Sequence, residues 1–289
     1  MPLVDVVLRI LHVALFIKDN IANDCADRLA ILQRGNDRGR IIRDRGSLGR
    51  RRQAADHRDH AGFYVAYGGF SSTSLRGDVH GTANATAGSL RLEGPTVGVY
   101  WTHFGPSGWY VDAVAQGSWY EAKASSIAGS SLGTSVDGLT TSLEAGYPIH
   151  FENGAWLVEP QAQLIYQTFW VSGARDDISQ MNWTTGDAWT ARLGVRLQHT
   201  HREQDGTLWQ PYARINLWQT FTGSDGLSFD GNSPVQTFFG GTSLEGSIGL
   251  TATISRTTSL YGEASYRHSV GGPQEASAVS GTFGLRVNW

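Results

Sequence analysis

The chain has little cysteine, little lysine and little charge. Cys25 is the single cysteine in 289 residues, which excludes a disulfide framework within the chain. Lys18 and Lys123 are the two lysines, so arginine supplies nearly all of the 23 basic residues. Charged residues make up 17% of the chain, low against a typical quarter, and the formal net charge is −3. That balance gives no electrostatic case for nucleic-acid binding. No Gly-rich phosphate loop with a lysine is present. No run of 18 apolar residues exists, which excludes a helical membrane span. A membrane β-barrel stays open, because its apolar surface is hidden in alternation.

What is present is unevenly spread. Residues 1–60 hold 11 Arg, 1 Lys, 8 Asp and no Glu, with one aromatic, Phe16. The remaining residues hold 30 aromatics, including all 10 Trp, and carry 11 basic against 18 acidic groups. Two parts this different need not share a fold, and the boundary is set at 56/57. In the first part Leu3 to Arg34 contains neither Gly nor Pro. Val7, Ile10, Leu11, Ala14 and Leu15 recur at helical spacing, with Asp5, Arg9, His12 and Asp19 opposite. Those polar residues interrupt the apolar stretch, and no basic leader precedes it, so a secretory signal is not expected. From Gly35 to His60 the text is Arg-rich and aperiodic, the signature of disorder.

From Ala61 onward apolar and polar residues alternate in segments of about 10–14 residues, the period-2 mark of strands. In the last segment Val279, Gly281, Phe283, Leu285, Val287 and Trp289 share one face. Leu244, Gly246, Ile248, Leu250, Ala252 and Ile254 do the same further back. Ten such runs start near Gly62, Leu92, Trp109, Leu139, Trp156, Asp187, Trp209, Ser243, Thr258 and Ser277. Short connections follow Trp101, Phe151 and Ile254, and a slightly longer one precedes Trp209. Longer stretches rich in Gly, Ser, Thr and Asp are expected as loops over 72–90, 122–138, 171–186, 222–241 and 268–276. Alternating short and long connections are what an up-and-down transmembrane barrel shows. The expected class is all-β: an antiparallel transmembrane β-barrel.

The aromatics support this. Trp109 and Trp119 share a face ten residues apart, which at about 3.3 Å per residue and about 40° tilt spans roughly 25 Å of lipid. Trp101, Trp109, Trp156, Trp209 and Trp289 fall at short-turn ends. Trp119, Phe169, Trp170, Trp189, Phe221 and Tyr266 fall near the long-loop ends, giving two girdles. A soluble sandwich would bury its Trp residues mid-strand. Pro160 and Pro211 lie near strand starts, where a lost N–H costs least or a bulge absorbs it.

Charges sort by parity. Asp112, Glu144, Glu159, Arg192, Arg196, Arg214, Glu245, Glu263, Arg267 and Arg286 fall on the face opposite the apolar one. In lipid each Arg would cost about 2–4 kcal/mol at the midplane. In a wet lumen that cost vanishes, so these residues are expected to line a pore. A barrel hydrolase would need an acid and a His at one rim; Asp176 and Asp177 with His80 or His268 are the candidates. His199 and His201 have a metal-ligand spacing but no third ligand nearby in sequence, and an ordinary turn is favoured.

Several stretches together carry a family resemblance: HRDHAGFYVAYG with GVYWTHFGPSGWYVDAV, LTTSLEAGYPIHFENGAWLVEPQAQLIYQ, LWQPYARINLWQTF, and the terminal GTFGLRVNW. Residues 57–289 resemble the C-terminal translocator barrel of autotransporters, the pertactin-like type V secretion family. The resemblance implies a twelve-stranded barrel in the bacterial outer membrane that supports export of an N-terminal passenger. Here the passenger and the first two strands have no counterpart. Residues 1–56 carry instead the Arg/Asp-rich text that a wrong reading frame or wrong start in a GC-rich gene gives. The other reading makes residues 3–34 the family's pore helix. The resemblance implies no catalysis, no cofactor and no metal. Its implied partners are outer-membrane lipid, the passenger and the barrel-assembly machinery. A barrel hydrolase (protease or lipase) and a diffusion porin are the alternative functions.

Phe283, Leu285, Val287 and Trp289 end the chain on one face at the expected periplasmic rim. In this family such an ending resembles the signal read by the assembly machinery, which captures a strand by edge pairing. Deleting Trp289 should therefore lower outer-membrane levels far more than replacing Trp109 or Trp209, which occupy the same girdle away from the terminus. Immunoblots of membrane fractions check this.

Overall fold

Period-2 alternation becomes strands wherever each backbone has neighbours to bond. In a computed structural model of the protein the described residues are 58–79, 82–127, 129–175, 180–230, 232–255, 258–272 and 276–287. The expected helix over 3–34, Cys25, His80, Asp176, Asp177 and Trp289 lie outside them. Ten strands form the sheet: β1 (Arg58–Val79), β2 (Thr82–Phe104), β3 (Tyr110–Ser126), β4 (Ser131–Gly146) and β5 (Trp156–Val171), then β6 (Ala188–His199), β7 (Leu208–Phe229), β8 (Asn232–Thr253), β9 (Thr258–Gly271) and β10 (Ser277–Val287). Each pairs antiparallel with the next in chain order. The sheet is curled into a half-barrel. Among the described residues β1 and β10 are each paired on one side only. No helix among them is long and apolar enough to cross a membrane.

The short turns close as expected. Gly105 and Trp109 bond across the β2–β3 turn, where Gly108 takes φ +82°, a left-handed conformation that favours glycine. Two of the other short connections add small strands, Ile149–Phe151 along β5 and His201–Arg202 along β7. In the second of these the Thr207 N–H donates to Asp205 Oδ1 at 2.8 Å, and this bond holds the exposed Asp205 carboxyl below its ordinary pKa. Both prolines sit where a neighbour's ladder breaks. Pro160 lies beside Tyr147 and Pro148, between β4 and the Ile149–Phe151 strand, and Pro211 lies at the level of His199, in the unpaired step between Gln198 and His201. At the first of these places the Tyr147 N–H still donates to the Pro160 carbonyl at 3.1 Å.

The long connections differ from expectation. Of 72–90, 122–138 and 222–241, most is paired strand: β1 and β2 run to residues 79 and 82, β3 and β4 to 126 and 131, and β7 and β8 to 229 and 232. The stretch 171–186 holds two small strands, Ala174–Arg175 and Gln180–Thr184, the latter paired with β7. Strands of 22 or 23 residues far exceed the roughly ten that a tilted crossing needs. These hairpins therefore continue past the lipid band.

Their side chains explain why they read as loops. Below Trp119 the convex face of β2–β4 is apolar, with Val97, Val99, Trp101, Leu139 and Leu143 exposed. Past Trp119 the same face carries Arg91, Glu93, Glu121, Lys123, Ser125 and Asp137. The concave face reverses in step. It is polar at Thr102, Asp112, Gln116, Ser118 and Thr140, then apolar at Leu90, Leu92, Tyr120, Ala122, Ala124, Leu132 and Val136. The period stays two while its sense flips, because the outer solvent changes from lipid to water.

The aromatic girdles are mostly as expected. Trp101, Trp156, Trp209, Trp119, Trp170, Trp189, Phe221 and Tyr266 are exposed, and Trp109 is half-buried against His103, with ring centroids 5.3 Å apart. Phe169 is a correction. It is buried at 8% in a concave cluster with Leu92, Tyr120, Ala122 and Val136. Adjacent residues on a strand must face opposite ways, so Phe169 and Trp170 cannot both belong to a girdle. His268 also differs: it lies within β9, exposed, its ring stacked on Tyr266, rather than in an outer loop.

Free strand edges in lipid cost several kcal/mol per unsatisfied group. Extending the chain before β1 by two strands of a relative should raise the temperature at which the compact form is lost in SDS. Heat-modifiable gel migration of the two proteins checks this.

Candidate functional site

The concave face is built from the parity that faces away from lipid, and it is packed with polar groups. Asp112, Glu144, Glu159, Arg192, Arg196, Arg214 and Glu245 are all buried there. Glu263 and Arg267 are half-buried on β9, the strand nearer the open edge. Arg286 falls in β10, and its side chain is outside the described set.

Register brings these groups into one belt. Asp112, Glu144, Gln163, Arg192 and Trp218 are successive cross-strand neighbours on β3 to β7. Asn216, Glu245 and Arg267 continue across β7 to β9. Arg192 is the hub. Its Nη2 donates to Glu144 Oε2 at 2.7 Å and its Nε to Gln163 Oε1 at 2.9 Å. Its Nη1 reaches Gln161 Oε1 at 3.4 Å and Asn216 Oδ1 at 3.3 Å. Tyr110 donates to the other oxygen of Glu144 at 2.5 Å. Asn216 donates to Glu245 at 2.6 Å, and Arg267 Nε donates to the same carboxylate at 3.1 Å. The indole of Trp218 lies between two guanidinium groups, 5.4 Å from that of Arg192 and 4.1 Å from that of Arg267.

A second group sits nearer the short-turn end. Arg214 Nη2 donates to Glu263 at 2.8 Å, and Tyr212 donates to the other oxygen at 2.7 Å. The guanidinium of Arg196 stacks 4.3 Å over the Tyr212 ring, with Glu159 opposite it in the ladder. Gln161 bridges the groups by donating to Glu159 at 2.8 Å. Asp112 accepts from Thr102 at 2.6 Å. Tyrosines on this face lie over glycines of the next strand. A Cβ on Gly146 would collide with the Tyr110 ring, and one on Gly249 with Tyr212. These glycines are required by close approach, not by a turn.

Nine of the ten charged residues selected by parity thus lie on one face, and each bonds to, or stands opposite, another member of the belt or of the second group. Sequence reasoning left out the neutral members: Gln161, Gln163, Asn216, Tyr110, Tyr212 and Trp218. They share the same parity, and that signal would have found them had it been applied to amides and hydroxyls as well as charges.

The hydrolase and metal candidates come out differently. His268 is exposed, as above. His199 packs its ring 4.6 Å from Trp156, and His201 lies in the short turn, 3.6 Å from Glu203. Among the described residues no group of three or more His, Cys, Asp or Glu side chains is placed to hold a metal.

An antiparallel, apolar-coated, curled sheet with a charged inner wall defines the class: an outer-membrane-type β-barrel domain. A family model, the autotransporter β-domain, matches residues 40–265. The chain belongs to that family, and its membrane is the bacterial outer membrane. The pertactin autotransporter of Bordetella bronchiseptica is 31% identical over 241 residues, 80% of this chain and 25% of its own length. The adhesin BmaC autotransporter of Brucella suis is 30% identical over 214 residues, 70% of this chain and 6% of its own length. The chain therefore spans a quarter or less of these two relatives. Among solved structures, the β domain of the Bordetella autotransporter BrkA aligns with a TM-score of 0.57 at 19% identity, covering 82% of this chain and 92% of that one. The transport unit of AIDA-I from Escherichia coli aligns with a TM-score of 0.54, covering 86% and 94%. The family is a translocator barrel, as the resemblance implied, and the match does not favour the hydrolase or porin readings.

Removing one partner of a buried ion pair leaves an uncompensated charge, which costs about 3–5 kcal/mol. Arg192→Ala should therefore lower the thermal midpoint strongly, and the double change Arg192→Met with Glu144→Leu should recover most of it. Circular dichroism melts in detergent check both.

Proposed function

We propose that this chain is the membrane-embedded part of an autotransporter and supports export of a polypeptide joined before it. The observation that carries this reading is the charged, mutually bonded inner wall inside a sheet whose outer face is apolar, in a chain of the autotransporter β-domain family. Asp112, Glu144, Glu159, Arg192, Arg196, Arg214, Glu245, Glu263, Arg267 and Arg286 line the passage. A wall of paired acids and bases offers many hydrogen bonds and no net charge that would trap a segment of one sign.

The chain's part is physical, without catalysis, cofactor or metal. Its partners are outer-membrane lipid, the exported passenger and the barrel-assembly machinery. The assembly machinery reads Phe283, Leu285, Val287 and Trp289. In support of this, Phe283 and Leu285 are exposed on β10, whose other edge has no described neighbour. The C-terminus lies at the periplasmic side, together with the short turns. The barrel is placed at 57–289, and the family match begins at residue 40.

Planar-bilayer recordings test the wall. Truncating Arg196, Arg214 or Glu245 to Ala should shift single-channel conductance by roughly a factor of two, because lumen charges set ion occupancy. Exchanging Leu193 or Ile215 on the lipid face for another apolar residue should leave it unchanged. The reverse result would put the charged set on the lipid face.

A further inference from the structure

Just past the Trp119 level the outer face of β2 and β3 carries four charges that belong neither to the belt nor to the lipid band. Arg91 on β2 stands directly opposite Lys123 on β3, and Glu93 stands directly opposite Glu121. Each row is like-charged: cation faces cation, and carboxylate faces carboxylate. Side chains so placed have Cβ atoms about 4.5–5.5 Å apart, and like charges at that distance destabilise a strand pair. Along β2 the Arg91 Nη2 donates to Glu93 Oε2 at 2.7 Å. Glu121 and Lys123 share a face of β3 two residues apart, yet neither side chain makes a hydrogen bond or ion pair among the described residues. Lys123 is therefore a cation with a second cation across the ladder and no anion bonded to it.

The surroundings leave room for one. The row of Arg91 and Lys123 continues to Ser71 on β1 and Gly133 on β4, both exposed, and nothing lies within 4 Å of where a Cβ on Gly133 would stand. Below the four charges the same face is the lipid-facing one, with Val97, Val99 and Trp119 exposed. Lys123 is four residues beyond Trp119, about 13 Å along the strand and roughly 10 Å higher at a tilt of about 40°. Long basic side chains lay their stems along apolar surface and bend their heads to the nearest polar layer. Both cations thus reach the headgroup layer that flanks the hydrocarbon, about 5–8 Å deep.

We propose that Arg91 and Lys123 form a binding site for the phosphate of a membrane lipid, in the leaflet from which the long hairpins emerge. The acyl chains lie on Val97 and Val99, Trp119 sits at the boundary, and the phosphate bridges the guanidinium and the ammonium. An anion between the two cations turns their repulsion into two charge-assisted contacts. Glu93 takes one of the five guanidinium donors and leaves the rest for the ligand. A lipid fits better than a soluble phosphate, because the cation row runs without a step into the lipid-facing surface and one molecule fills both. The site does not depend on what the barrel exports.

The test uses the full chain in uncharged detergent micelles, offered radiolabelled phosphatidic acid or diacylglycerol of the same acyl chains. The two lipids differ only in the phosphate, and gel filtration gives the amount that elutes with the protein. The parent should retain phosphatidic acid several-fold more than diacylglycerol. Sodium chloride should erase most of that preference, since exposed charges are screened. Arg91→Ser combined with Lys123→Ser should bring the two lipids level. Lys123→Arg should keep the preference, and so should Arg202→Ser, which removes an exposed cation at the short-turn end. An unchanged preference in the double variant overturns the proposal, as does a parent that retains both lipids equally. Glycerol phosphate, a head without chains, should displace the lipid only in large excess; displacement at equal concentration overturns the lipid assignment. Heat-modifiable gel migration checks the folding of each variant. Where the double variant does not fold, the parent decides: a preference that salt leaves untouched overturns the site.

Discussion

Lipid supplies no hydrogen-bond partner, so every backbone N–H and C=O in the membrane must be bonded by a neighbouring strand. The rest of the structure follows from that. Each strand pairs with its sequence neighbour, which needs only tight turns and leaves no crossover to bury. The ladders break beside the short turns at Tyr147–Pro148 and His199–Thr200, and toward the long hairpins at Gly94–Pro95 and at the irregularities near Ser72, Thr220 and Thr242. The same rule makes the edges of β1 and β10 the weak places of the ten-stranded sheet. It also allows β1–β2 and β7–β8 to run on into water, where a paired ladder is satisfied but no longer obligatory.

Once the ladders are fixed, side chains have only two directions, and the solvent on each side selects them. At membrane level lipid demands Val99, Leu143, Leu193 and Ile215 outward, which leaves the interior to Gln116, Glu144, Gln163 and Arg192. Past Trp119 water takes the outer side, and the interior becomes the place for Leu92, Tyr120 and Val136. A strand in this protein is thus two amphipathic segments of opposite sense joined without a break. The Trp119 level, not a loop, marks where the membrane ends.

That reversal decides what was legible. Strand starts at Trp156, Thr258 and Ser277 stand in the sequence as they stand in the sheet, because alternation there begins at the membrane edge. Starts at Leu92, Leu139 and Ser243 are late by up to eleven residues against Thr82, Ser131 and Asn232. A template of apolar-outward alternation stops matching when the sense flips, and abundant Gly, Ser and Thr then suggest a loop. Charges were legible for the converse reason: an Arg such as Arg214 cannot face lipid, so parity places it without knowledge of its partners. The partners themselves were not legible. That Glu144 meets Arg192, 48 residues away, depends on the joint register of two strand pairs. The burial of Phe169 beside the exposed Trp170 needed only parity, and the weight given to aromatic character hid it.

The scarcity of lysine acquires a meaning in the belt. Its four cations, Arg192, Arg196, Arg214 and Arg267, are all arginine, whereas Lys123 stands on the outer face in water. Arg192 reaches Glu144, Gln163, Gln161 and Asn216 and also lies over Trp218. A planar guanidinium with five donors can serve four acceptors on three strands at once and still present a face to an indole. An ammonium group has three donors, no face, and a hydration shell that it gives up reluctantly in a site 1% exposed. Lysine there would leave at least one buried acceptor without a donor, and such an orphan costs about 1–3 kcal/mol. The belt holds its strands in register through Arg192, whose guanidinium four buried acceptors share. The residue type at its hub follows from that demand as directly as the strands follow from the lipid.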